Sequence, residues 1–128
     1  MNHAEFVEEQ VIILERVLEY AEKARREGLL ALEESLDYDK IGERAIFEYG
    51  IRLVIDGTDK GIIEKILSNI IAQEKDEYSR LLKTIQKEAV LMIQEGLNPR
   101  LLFCLLNSYT DIPLNDEKMK KYVEGLMG

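Results

Sequence analysis

The feature that most constrains the fold is a stripe of apolar residues at helical spacing near the start of the chain. Its members are separated alternately by four and three residues, which places them on one side of an α-helix. They are Val7, Val11, Leu14, Leu18 and Ala21. The stripe predicts a long helix, from about Ala4 to about Leu36, that packs one face against the rest of the molecule.

The next positions on this stripe break the apolar pattern. Continuing the same count leads to Arg25, then Gly28, then Leu32. A guanidinium therefore stands where an aliphatic side chain is expected, and a full charge is not buried without a partner. The stripe must reach the surface there or meet an acid. A helix that simply leaves the core and exposes its last turns accounts for the pattern equally well.

Composition favours one all-α domain spanning residues 1–128. A chain of 128 residues is long enough for a single core, and two prolines with eight glycines leave little room for a many-turned β architecture. The formal net charge is −8, which disfavours nucleic acid and anionic lipid as main partners. A basic patch on another protein is the favoured complement.

The single cysteine and the absence of long apolar runs favour the cytoplasm as the compartment of this protein. Cys104 has no second cysteine to pair with, so a reducing cytoplasm is the simplest setting. The first residues do not lead from a basic region into an apolar one, so we expect no secretory signal. No apolar run approaches the ~20 residues that span a bilayer, so we expect no direct membrane insertion.

Turn signals divide the rest of the chain into helices. Asp39 is the predicted N-cap of a second helix that ends near Gly57, and Asp59 is the predicted cap of the next. Residues 59–95 contain either one very long helix or a hidden turn near residues 75–78. We favour the long helix because residues 62–95 contain no glycine or proline.

A clear corner follows at residues 96–99, where Gly96 ends one helix, Asn98 caps the next and Pro99 occupies its first position. A short apolar helix follows, and then a last amphipathic helix begins near Asn115 or Asp116. The sequence thus predicts an antiparallel helical bundle of about five helices, two of them long.

We find no set of residues that would carry catalysis. The only histidine is His3, at the start of the chain, and Cys104 lies among leucines, where a buried and unreactive thiol is expected. Acids such as Asp37 and Asp56 fit helix capping better than a calcium loop. The sequence therefore predicts no catalytic, cofactor or metal site and no enzymatic activity.

Three segments form an ordered set of motifs: residues 24–33 (ARREGLLALE), 49–59 (YGIRLVIDGTD) and 88–100 (EAVLMIQEGLNPR). Together they resemble the motility protein A (MotA) family, the ion-channel stator subunits of the bacterial flagellar motor. The first and third are specific, whereas the second alone is a common helix–turn sequence. Family members cross the membrane four times, and this chain carries none of the four spans. The resemblance therefore implies the cytoplasmic part of a stator subunit, unable to conduct ions by itself.

The resemblance also implies a site. In the family, a basic and an acidic residue of the first segment face the rotor switch protein (FliG), and they correspond to Arg25 and Glu33 here. On one continuous helix these two residues would lie about 80° apart around the axis and about 12 Å apart along it. Arg26 belongs to the same positive spot, so we take Arg25, Arg26 and Glu33 as the partner-binding residues.

Two roles compete at this stage. The favoured one is a motor-associated protein, peripheral to the flagellar motor at the inner membrane, that binds the rotor switch protein or modulates stator subunits. It could be a natural soluble relative or a stator subunit from which the spans were deleted. The alternative is a general helical scaffold that keeps the fold without a motor role. A homodimer is compatible with both, since helices with two apolar faces often pair.

Overall fold

The computed structural model of the chain describes residues 1–37, 39, 45–109 and 124. Every regular element in this part of the chain is a helix, which confirms the all-α prediction. The five α-helices and one 3₁₀ helix follow one another as α1 (His3–Glu27), the 3₁₀ helix (Leu29–Ser35), α2 (Ala45–Ile55), α3 (Lys60–Ala72), α4 (Glu77–Glu95) and α5 (Pro99–Asn107). The two longest are α1 and α4.

Helix α4 lies at the centre, because it packs against each of the other four α-helices. Its fully buried side chains include Leu82, Ile85 and Val90. The consecutive helices α3 and α4 run antiparallel. Helix α1 packs beside α4 although the two are far apart in sequence, and it runs in the same direction. Near the start of both helices, the rings of Phe6 and Tyr78 stack with their centroids 4.6 Å apart. The ends of α1 and α4 therefore lie side by side.

The first helix is shorter than the sequence predicts. It begins after Asn2, whose side-chain oxygen accepts a hydrogen bond from the amide of Glu5 (2.8 Å), and it ends at Glu27 rather than near Leu36. Gly28 ends it with φ 92° and ψ 161°, a conformation that essentially only glycine adopts. The chain then continues as the 3₁₀ helix, which returns Leu32 to the core.

The prediction of one helix across residues 59–95 is wrong, and the alternative of a hidden turn is what the structure contains. Helix α3 ends at Ala72 and α4 begins at Glu77. The carboxylate of Glu74 accepts hydrogen bonds from the amides of Lys75 (3.0 Å) and Asp76 (3.1 Å), and that of Asp76 accepts from the amide of Ser79 (2.9 Å). Acidic side chains thus satisfy the amides that helical carbonyls would otherwise bind, without glycine or proline.

Most of the other predicted helix ends are confirmed. The carboxylate of Asp59 accepts from the amide of Gly61 (3.0 Å), and Gly57 and Gly96 both have φ 79°. The side chain of Asn98 accepts from the amide of Leu101 (2.8 Å), with Pro99 at the start of α5. The predicted start of the second helix after residue 39 and the predicted last helix near residues 115–126 lie outside the described residues.

The expectation that Cys104 is buried is wrong. Its side chain is exposed on α5, while Leu102, Phe103 and Leu106 turn inward. Helix α5 packs mainly against α1 and α4, and Leu101, Cys104 and Leu105 on its other side are exposed in the part of the chain that the structure describes. Within the described residues, no helix is long and apolar enough to cross a membrane.

Candidate partner-binding surface

Arg25 and Arg26 lie in the last turn of α1, and both are exposed. The apolar stripe therefore reaches the surface at Arg25, one of the two outcomes that its sequence pattern allowed. Among the described residues, neither guanidinium has an ion pair or a hydrogen-bond partner. The carbonyls at a helix C-terminus favour cations, so both arginines stabilise the end of α1 while their guanidinium groups stay available to a partner.

Glu33 lies on a different element from the two arginines. The chain leaves α1 at Gly28, so the geometry predicted for one continuous helix, about 80° and about 12 Å from Arg25, is wrong. Glu33 instead faces α2, where its Oε1 lies 3.9 Å from Nη1 of Arg52. Both side chains are largely exposed, so the pair contributes little to folding. The candidate surface is built from three elements rather than from one helix.

The 3₁₀ helix sorts its side chains with a period of three residues, because residues i and i+3 overlap along its axis. Leu29, Leu32 and Ser35 share the inward side, where Leu32 is fully buried. Leu30 and Glu33 share the outward side, and both are exposed. This periodicity decides that Glu33 faces solvent and that a leucine stands exposed beside it.

Side chains of α1 hold the 3₁₀ helix in place. The hydroxyl of Tyr20 donates to the carbonyl oxygen of Ser35 (2.6 Å), and the Lys23 ammonium donates to the hydroxyl of Ser35 (2.9 Å). Lys23 also lies 3.6 Å from the carboxylate of Glu34. Burial raises the pKa of the Tyr20 hydroxyl, which keeps it protonated as a donor. The 3₁₀ helix is thereby fixed along the last turns of α1.

An ion pair between the partly buried Arg16 of α1 and the buried Glu48 of α2 lies beneath this surface. The second carboxylate oxygen of Glu48 accepts from the amide of Asp37 (3.2 Å) and lies 3.4 Å from the hydroxyl of Tyr20. Such a network keeps its parts in one arrangement, since breaking it leaves a buried charge without a partner. It joins α1, α2 and the segment after the 3₁₀ helix.

Sequence reasoning missed this network, although one signal for it was present. Glu48 interrupts an otherwise apolar side of α2, between Phe47 and Ile51. An acid at such a position requires a basic partner from another element. The partner, Arg16, lies 32 residues earlier, so its identity could not be read from local pattern.

Beside Arg25, a cleft of about 140 Å³ lies between the ends of α1 and α4. Its lining is mainly apolar, from Ala21, Ala24 and Leu29 on one side and Ile93 and Leu97 on the other. No group of three or more side chains suited to hold a metal ion occurs in the described part of the chain. The chemistry that this region offers is charge and apolar contact, which suits binding a protein.

Three proteins named Motility protein A are similar to this chain. Those of Treponema phagedenis and Treponema pallidum are 35% and 33% identical over 95 residues, which is 73% of this chain and 34% of each relative. That of Borreliella burgdorferi is 37% identical over 83 residues, 62% of this chain and 31% of the relative.

The chain thus spans about a third of the length of these relatives. No family model matches it, and no solved structure does. Three relatives of the same name, each matched over more than three fifths of this chain, agree with the resemblance of its three ordered segments. The chain is therefore related to the Motility protein A family.

Proposed function

We propose that the chain works at the flagellar motor as a non-enzymatic, stator-like protein. In this role it binds the rotor switch protein, a FliG-like partner, through Arg25, Arg26 and Glu33. The observation that carries the proposal is the pair of exposed arginines, for which the described residues supply no acidic partner. In a chain with a net charge of −8, such a positive spot is suited to an acidic surface on another protein.

The energetics suit a contact that forms and releases repeatedly. An ion pair between exposed side chains contributes about 0–1 kcal/mol and weakens as salt rises. Two or three such pairs steer a partner and set its orientation without holding it permanently. Glu33 adds an acid that lies 3.9 Å from Arg52, whose guanidinium also donates to the carboxylate of Asp56 (3.2 Å).

The test is binding of the purified chain to the purified rotor switch protein of the same organism, measured by interferometry at low and at physiological salt. We expect the double variant Arg25→Glu/Arg26→Glu to raise Kd about tenfold or more at low salt, with a smaller effect at higher salt. The matched control is Lys65→Glu/Arg100→Glu, which makes the same charge change at two exposed positions on α3 and α5.

The control separates a specific contact from a general effect of charge. Equal weakening by both double variants would mean that only the net charge matters, and the proposed site would be wrong. No binding by the wild-type chain at low salt would contradict the motor role and favour a helical scaffold without it. Thermal unfolding of both variants checks that neither charge change unfolds the protein.

A further inference from the structure

A large apolar side chain stands exposed one helical turn before each member of the Glu33–Arg52 ion pair. Leu30 is 72% exposed on the outward side of the 3₁₀ helix, and Tyr49 is 49% exposed on α2. We propose that Leu30 and Tyr49 are the apolar anchors of the partner-binding surface, and that the partner meets them with an apolar patch bordered by acids. This proposal rests on the proposed function and names the contacts that would supply most of its affinity.

Helix geometry places these side chains together. Leu30 precedes Glu33 by three residues, which in a 3₁₀ helix is one full turn, or about 6 Å along the axis. Tyr49 precedes Arg52 by three residues, so both lie on one side of α2. Since Glu33 and Arg52 lie 3.9 Å apart, the four side chains form one continuous surface across two packed elements.

The surface around Leu30 is held rigidly, unlike a loop tip. Leu32, two residues away, is fully buried, and Ser35 is held by hydrogen bonds from Tyr20 and Lys23. An anchor that is already ordered loses little conformational entropy on binding. Leu30 is therefore in a position to enter an apolar pocket of a partner.

The charges around the anchors determine the partner's chemistry. Arg25 and Arg26 lie just before the 3₁₀ helix on the chain and need acids opposite them. Apolar anchors surrounded by charged side chains are the usual arrangement of an interface in which a few residues carry the affinity. A lipid surface fits poorly, because Glu33, Glu34 and a net charge of −8 repel anionic headgroups.

The test uses the same binding assay with Leu30→Ser, Tyr49→Ala and the conservative variant Leu30→Met. We expect Leu30→Ser to raise Kd about tenfold. In the wild type, a leucine that is largely exposed in the free protein becomes buried on binding, and the serine variant loses the free energy of that burial. This loss of affinity should persist at physiological salt, whereas the loss of affinity in the arginine variants should become smaller as salt rises. Leu30→Met keeps an apolar side chain and stays within about twofold of the wild type.

Matched controls are Leu101→Ser on α5 and Ile62→Ser on α3, which remove apolar side chains that are 46% and 51% exposed. Both should leave Kd unchanged. If the arginine variants weaken binding but Leu30→Ser and Tyr49→Ala do not, this inference is overturned and the proposed function stands. If the wild-type chain binds no rotor switch protein, both fail. If the wild-type chain sediments as a dimer and Leu30→Ser dissociates that dimer, the surface binds a second copy of this chain, and the partner proposed here is wrong.

Discussion

The hydroxyl of Tyr20 donates a hydrogen bond of 2.6 Å to the carbonyl oxygen of Ser35, and so joins α1 to the end of the 3₁₀ helix. The same hydroxyl accepts from a guanidinium nitrogen of Arg16 (3.0 Å). One buried phenol thus links the ion pair beneath the candidate surface to the element that carries Leu30 and Glu33. The position of the exposed residues depends on a contact that lies out of reach of any partner.

We expect Tyr20→Phe to lower the free energy of unfolding by about 1–2 kcal/mol, because the carbonyl oxygen of Ser35 loses its donor without a replacement. Urea denaturation measures the change. Tyr49→Phe is the control, since the exposed hydroxyl of Tyr49 has water as a partner, and its effect should stay within about 0.5 kcal/mol. A Tyr20→Phe protein as stable as the wild type would show that this hydrogen bond does not hold the 3₁₀ helix.

Gly28→Ala is predicted to destabilise the protein by about 1–3 kcal/mol through the backbone alone. No atom lies within 4 Å of the Cβ that alanine would add, but φ 92° with ψ 161° is strained for any residue with a side chain. Thermal unfolding followed by circular dichroism gives the change. Gly61→Ala on α3 should lose far less, because the backbone there is helical and the added Cβ would meet only the side-chain oxygen of Asp59, at 3.1 Å, which can move aside. Equal losses at both positions would contradict this explanation.

Gly50→Ala is also predicted to destabilise, although alanine is the better helix former by about 1 kcal/mol. Its Cβ would lie 2.7 Å from Cγ2 of Val90 and 3.2 Å from Cδ1 of Leu67. Val90 is fully buried and has a stiff side chain, so α2 and α4 must separate, at a net loss of about 1–2 kcal/mol.

A double-mutant cycle in denaturant tests this contact directly. The variant Gly50→Ala/Val90→Ala should lose less stability than the sum of the two single variants, because the smaller side chain at position 90 makes room for the added methyl group. Additive losses would mean that Gly50 does not set the distance between the two helices.

Low pH should destabilise the folded protein through the carboxylates at the break between α3 and α4. A hydrogen bond from Lys83 (2.8 Å) and then the amide of Asp76 lower the pKa of Glu74 from its ordinary value, and the amide of Ser79 lowers the pKa of Asp76 in the same way. A carboxyl whose pKa is lower in the folded state stabilises that state above its unfolded pKa, and this stabilisation is lost as pH falls through the folded pKa.

The measurement is Tm against pH, from neutral down to below 4. We expect Tm to fall on the acid side, and to fall less steeply in Glu74→Gln/Asp76→Asn and in Lys83→Met, which have lost part of that stabilisation already at neutral pH. An acid dependence unchanged in these variants would place the sensitivity elsewhere in the molecule.

The helix ends that could be predicted are those set by side chains close in sequence. Asp59 and Asn98 each accept from an amide two or three residues later, so the signal and the structure share the same few residues. The break at residues 73–76 was the less favoured of two alternatives because carboxylates produce it, and carboxylates are equally common on exposed helix surfaces. Cys104 was misplaced because which side of α5 is covered depends on α1 and α4.

Part of the candidate site could likewise be predicted from the sequence, and part of it could not. The stripe on α1 left two outcomes for Arg25, exposure or an acidic partner, because a charge is not buried alone, and the structure shows that Arg25 is exposed. The position of Glu33 could not be predicted from the stripe, since it depends on the backbone of Gly28 and on α2. The exposed Leu30 beside it was not expected either, because one continuous helix and a 3₁₀ helix distribute the same residues over different sides.

The sequence by itself determined that the chain is helical, that α2 stops before Gly57 and α4 before Gly96, that a cluster of arginines ends the first apolar stripe, and which family it resembles. Hydrophobic periodicity, capping residues and motif matches involve residues that are close together in the sequence, so they can be identified from the sequence alone. Only the tertiary structure decided that Glu33 lies 3.9 Å from Arg52, that the partly buried Arg16 pairs with the buried Glu48, and that Leu30 and Tyr49 are exposed. These relationships join residues up to 32 positions apart, and packing between separate helices brings them together.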